Sequence, residues 1–125
     1  MRVELLYWAG CPSHPQALRE LREALTESGL DPDSVLVREI ETEDAARQEQ
    51  FVGSPTIRVN DRDIQPPHDE PAGLTCRVYV RRDGRVSPTP DPEDLREALR
   101  TASAAEAAAA SAGTVTSALA GGSSH

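Results

Sequence analysis

Residues 3–8, Val-Glu-Leu-Leu-Tyr-Trp, are almost continuously apolar, the pattern of a strand covered on both faces. The polarity then changes period. Leu18, Leu21 and Leu25, with Ala17, Ala24 and Ser28, recur at helical spacing, while Arg19, Glu20, Arg22, Glu23 and Glu27 fall on the opposite side. The spacing predicts an amphipathic helix from about Pro15, stopped by Gly29. Asp31-Pro32-Asp33 reads as a turn, and Val35, Leu36 and Val37 with Ile40 as a second strand. Thr42 is placed to cap a short helix that carries Glu43 and Asp44 in its first turn and runs to about Gln50.

The second half is built from shorter pieces. Gly53-Ser54-Pro55 turns into a β-branched strand, Thr56 to Val59, and Asn60-Asp61 is a tight-hairpin signal because both residues tolerate positive φ. Residues 65–75 hold three prolines and a glycine and predict a loop. Residues 76–80 alternate like a strand, Asp83-Gly84 turns it, and Val86 marks its return. Asp91-Pro92-Glu93-Asp94 carries a cap, a proline at the first position and acids in the first turn, so a helix starts there, with Leu95, Ala98 and Leu99 as its buried stripe. Beyond Thr101 the composition collapses to Ala, Ser, Gly and Thr. Residues 1–101 are therefore expected to form one domain, followed by a dispensable tail, 102–125, that is disordered or extends the helix along its alanines. Strand, helix, strand, helix, strand, strand, helix describes an α/β fold around a small mixed sheet, its first two strands parallel.

The chain of 125 residues carries 13 arginines and no lysine against 21 acids, a net charge of −8. An acidic chain without a basic stripe argues against nucleic acid or an anionic membrane as partner. No stretch approaches the ~20 apolar residues of a membrane span, and the acidic start does not resemble a signal peptide. Two cysteines are too few for a secreted disulfide framework. A cytoplasmic monomer is the expectation.

The candidate chemistry lies where the first strand gives way to the first helix, at Trp8-Ala9-Gly10-Cys11-Pro12-Ser13-His14. A cysteine at such a junction sits where unpaired backbone N–H groups favour a thiolate, the reactive form of the side chain. Ser13 and Gln16 match a capping box that starts the helix two residues after Cys11; a start at Pro12 instead makes Cys11 the cap, and both registers stay open. His14 is a candidate for stabilising the thiolate or protonating a leaving thiolate. If Ile64 and Gln65 end at the same sheet edge as Cys11, the loop 66–75 keeps Cys76 near it as a second sulfur. His68 completes a set of two thiols and two imidazoles of zinc-ligand type, but the long separation of the pairs is not a zinc spacing, and no metal site is assigned.

These motifs and their order resemble the thioredoxin-like superfamily in its minimal, glutaredoxin-type form. Residues 8–12 resemble the nucleophile turn, residues 53–57 the segment bearing a cis-proline opposite the active cysteine, and residues 59–64 the hairpin after it. The family's C-P-x-C is here Cys11-Pro12-Ser13-His14, so no vicinal disulfide can form. The resemblance implies a thiol–disulfide oxidoreductase in which Cys11 attacks and Cys76, or an external thiol such as glutathione, resolves the adduct, with His14 assisting. It implies a substrate surface of Trp8, Pro12, Ser54, Pro55 and Thr56, where Pro55 holds a backbone edge open for a substrate strand. Protein or small thiols are then the partners, glutathione is a co-substrate, and no other cofactor is called for. Two other readings fit the same residues: soft-metal or organomercurial-lyase chemistry on the paired thiols, and a binding module that has lost its redox pair.

Overall fold

The computed structural model describes residues 1–67 and 69–120, with side chains through residue 109. The fold is mixed α/β. Its main sheet has the order β2-β1-β3-β4, built from β1 (Val3–Tyr7), β2 (Leu36–Glu39), β3 (Thr56–Val59) and β4 (Arg62–Asp63). β1 pairs parallel to β2 (Leu5 opposite Val37) and antiparallel to β3 (Leu5 opposite Ile57). β3 and β4 form the expected hairpin, with Asn60 and Asp61 at φ 52° and 67°.

Alternation along β1 builds two cores. Val3 and Leu5 face Ala17, Leu21, Ala24 and Leu25 of α1 (His14–Glu27) and Leu95 and Leu99 of α3 (Pro92–Ala120). Leu6 faces the other way, onto Ile40, Phe51 and Ala46 of α2 (Glu43–Glu49). Glu4 is also on that second face and is buried; Arg2 and Arg38 neutralise it at 3.2 and 3.1 Å.

The helix ends follow local chemistry. Gly29 (φ 74°) closes α1 in a Schellman motif, with Leu30 N–H donating to Leu25 O at 2.8 Å. The Thr42 hydroxyl accepts from Ala45 N–H at 3.0 Å and caps α2, and Asp91 accepts from Glu93 N–H at 2.9 Å and caps α3.

Three features go beyond the sequence-based reading. β2 is an edge strand, with Leu36 and Val37 half exposed. The segment after β4 makes a separate two-stranded sheet, β5 (Tyr79–Val80) with β6 (Val86–Ser87). The stretch expected as a tail continues α3 to Ala120, as the helix propensity of alanine favours. Ala102 packs on the core, and Glu106 pairs with the N-terminal ammonium at 3.0 Å, so the beginning of that stretch belongs to the domain. Among the described residues no helix is long and apolar enough to cross a membrane.

Candidate functional site

The cysteine turn is short because Cys11 N–H donates back to Trp8 O at 3.0 Å. The Trp8 indole lies across it: a Cβ at residue 10 would sit 2.4 Å from Trp8 Cζ2, so any larger residue there would have to displace the indole. Ser13 is the N-cap residue of α1, yet its hydroxyl makes no capping bond, and the Gln16 side chain turns to Glu20 (3.0 Å). The expected capping box therefore does not form. The Ser13 N–H and hydroxyl instead lie close enough to the Cys11 sulfur to favour its thiolate. Pro15, without an N–H, occupies the first turn at no cost in hydrogen bonds.

Opposite the turn, the Ser54–Pro55 peptide bond is cis. Ser54 N–H donates to Thr75 O and Arg77 N–H donates to Ser54 O, both at 2.8 Å, so Ser54 and Cys76 form a parallel bridge. Gly53 makes this approach possible: at φ 143°, a Cβ there would come within 2.8 Å of Arg77 Cβ. The bridge delivers Cys76 to Cys11. The Cys11 thiol is directed at Ser54 O (3.5 Å), and Cys76 is close enough for the two thiols to shift each other's ionisation.

A buried ion pair holds that bridge from beneath. Alternation along residues 76–80 turns Arg77 and Tyr79 inward and leaves Cys76, Val78 and Val80 exposed. The Arg77 guanidinium donates to Asp63 Oδ2 at 2.7 Å, to Thr56 Oγ1 at 3.3 Å and to Gln65 O, and it stacks on the Tyr79 ring at 4.7 Å. The Tyr79 hydroxyl donates to Pro55 O at 2.6 Å, and burial pushes its phenol well above the usual range.

The two sulfurs have opposite electrostatics. Burial is the largest influence on Cys11 and pushes its thiol up. Hydrogen bonds to the sulfur outweigh it, from the Cys76 thiol first, then from Ser13 N–H, the Ser13 hydroxyl and the Ser54 hydroxyl, so the Cys11 thiol lies below its ordinary value. Cys76 is pushed above its own, first because its S–H is held by Cys11, then by burial and by the Cys11 charge. Ser54 Oγ is buried without a partner while Cys11 is a thiol. It gains one, the sulfur itself, when Cys11 ionises.

The structure thus brings Cys11, Cys76, Ser54 and Pro55 together. Trp8 is half-buried beside the turn and Pro12 is exposed next to Cys11. His14 is adjacent but differently engaged: its Nδ1 meets Cys11 O at 3.2 Å and its ring stacks on Tyr7 at 4.1 Å, so it holds the backbone of the turn rather than the sulfur. His68 lies outside the described residues. Among those residues no group of three or more His, Cys, Asp or Glu side chains is placed to hold a metal ion.

The expected substrate edge requires correction. Ser54, Pro55 and Thr56 are buried, and both backbone polar groups of Ser54 are bonded to the chain's own residues 75–77. The Thr56 hydroxyl donates to Gly53 O at 2.7 Å and accepts from Arg77. The edge is closed because Cys76 and its neighbours already fill it. Sequence reasoning also missed Ser13, Asp63, Arg77 and Tyr79 as supports of the site. The available signal was Arg77 itself, a charge in phase with Tyr79 on the inward side of a strand pattern. No protein-family model, curated protein or solved structure matches this chain.

Proposed function

We propose that this chain is a thiol–disulfide oxidoreductase of thioredoxin-like fold whose redox pair is Cys11 and Cys76. The β2-β1-β3-β4 order, the cysteine turn leading into α1 and the cis-proline facing that turn support the fold reading. The observation that carries the function is the meeting of the two cysteines at Ser54, which accepts from the Cys11 thiol at 3.5 Å and bridges to Cys76; the Cys11 thiol lowered and the Cys76 thiol raised fit that pairing. Two thiols side by side, one of them lowered, are the arrangement thiol–disulfide exchange requires, since one sulfur carries the transient adduct and the other displaces it. The Cys11–Cys76 disulfide takes the place of the vicinal one that His14 precludes. Protein thiols or glutathione serve as the exchanging partner.

The test is oxidation of the full chain with diamide, followed by intact mass and peptide mapping. The expected product has lost two hydrogens and carries a Cys11–Cys76 crosslink. Unlinked cysteines, with Cys11 alkylating at the pH of an ordinary thiol, would leave a binding module without redox chemistry.

The same pair supports a second reading, because two adjacent thiols suit a soft metal ion, which selects thiolate ligands. Titration with mercury(II) separates the two: tight one-to-one uptake by a protein that diamide does not crosslink would favour metal handling.

A further inference from the structure

The two sulfurs differ most in access. Cys11 is 1% exposed, while Cys76 is an exposed thiol on the outward side of its segment. The approach to Cys11 along the proline loop is closed by residues 75–77, through the two 2.8 Å hydrogen bonds at Ser54. Cys76 stands where an incoming substrate sulfur would have to stand.

We infer that Cys76 is the sulfur that first exchanges with an external disulfide, and that Cys11 resolves the resulting adduct from the inner side. This order is the reverse of the one the family resemblance implies, and it rests on the exchange reading above. In the first step Cys11, having lost its own proton to water, takes the Cys76 proton as a thiolate. The Cys76 thiolate attacks one sulfur of a disulfide R–S–S–R; the Cys76–SR bond forms, the R–S–S–R bond breaks, and its electron pair leaves on RS⁻, which takes a proton from water. In the second step Cys11 releases its proton to water and attacks Cys76 Sγ. The Cys11–Cys76 bond forms and the second RS⁻ departs toward solvent. Two protein thiols are oxidised, one disulfide is reduced to two thiols, and no other reductant is needed. The raised Cys76 thiol limits how often it ionises, but a thiolate of higher pKa is the better nucleophile once formed. Resolution is favoured by place: Cys11 lies behind Cys76 with respect to solvent, opposite a leaving group that points outward.

The experiment uses the neutral probe 2-hydroxyethyl disulfide on the wild type and on Cys11→Ser and Cys76→Ser, with intact mass against time and circular dichroism to check the fold. Cys11→Ser is expected to gain one adduct and keep it, and Cys76→Ser to react about ten-fold more slowly, as access governs thiol reactivity. Equal or faster labelling of Cys76→Ser would overturn the order while leaving the redox pair standing, provided the wild type still crosslinks. A wild type that holds the adduct on Cys76 without crosslinking would instead overturn the exchange reading, and with it the resolving role of Cys11. Should a variant fail to fold, a short iodoacetamide pulse on the wild type with peptide mapping decides. Cys76 labelled first supports the order, and Cys11 labelled first overturns it.

Discussion

Arg77→Met is the perturbation that most sharply tests how the site is held. Arg77 and Asp63 pair at 2.7 Å with side chains only 6% and 12% exposed. Removing one partner of a buried pair costs about 3–5 kcal/mol because the other charge is left uncompensated. Methionine preserves most of the buried stem, and loss of the stacking on Tyr79 adds roughly 0.5–1 kcal/mol. Some water reaches Asp63, which places the expected loss near the lower end, about 3 kcal/mol. That is a large part of the ~5–15 kcal/mol available to a small domain. Adding Asp63→Asn to the same chain should recover much of the loss, since replacing both partners is often close to neutral. Urea unfolding of the reduced protein, followed by far-UV circular dichroism, reads both values. Because Arg77 follows Cys76 directly and its N–H holds the bridge to Ser54, the single variant should also slow diamide crosslinking of Cys11 to Cys76 under native conditions. A loss below about 1 kcal/mol, the range of exposed pairs, would refute the reasoning, as would a double variant no more stable than the single one.

Three further outcomes follow from the same geometry. The lowered Cys11 thiol should make the reduced protein more stable as pH rises from the lowered value to the ordinary one; the raised Cys76 thiol should make it less stable from the ordinary value upward. Stability is therefore expected to peak near the ordinary thiol range (about 8.5), and Cys76→Ser should remove the part of the alkaline decline in urea midpoints that begins there, leaving the decline that the buried Tyr79 phenol causes above its own ordinary range. Ser54→Ala removes a hydroxyl that lowers Cys11, so the Cys11 alkylation profile should move to higher pH, while stability below that range changes by less than about 1 kcal/mol because the lost hydroxyl had no partner there. Ending the chain after residue 101 removes Ala102 and Glu106 and should cost about 1 kcal/mol in urea unfolding; ending it after residue 109 should leave stability within about 0.5 kcal/mol.

What could be read from the sequence was what local chemistry decides. Gly29, Thr42, Asn60-Asp61 and Asp91 each act on a backbone only a few residues away, and each end or turn falls where those residues place it. The approach of Cys76 to Cys11 was legible as a consequence of hairpin direction. Its mechanism was not, because the Ser54–Cys76 bridge joins residues far apart in the chain and depends on a bare backbone at Gly53. Of the two registers open in the sequence, the helix takes the one with Ser13 at the cap, but without the capping bonds that its spacing to Gln16 suggests, its hydroxyl lying near the Cys11 sulfur instead. The buried Arg77 had no local explanation until Asp63, Thr56 and Tyr79 were brought around it by the hairpin. Leu36 and Val37 read as a strand in the sequence and lie half exposed on the sheet's edge, since the pattern cannot tell which strand is outermost.

The central claim is that Cys11 and Cys76 act as one redox couple. Equilibrating the full chain across a series of reduced and oxidised glutathione ratios, then trapping free thiols by alkylation and weighing the intact protein, tests it most directly. The account expects both cysteines to become unavailable together in a single two-electron transition, with the internally crosslinked form replacing the dithiol. Independent loss of the two thiols, or a glutathione adduct that accumulates on either cysteine without giving the crosslink, would contradict it.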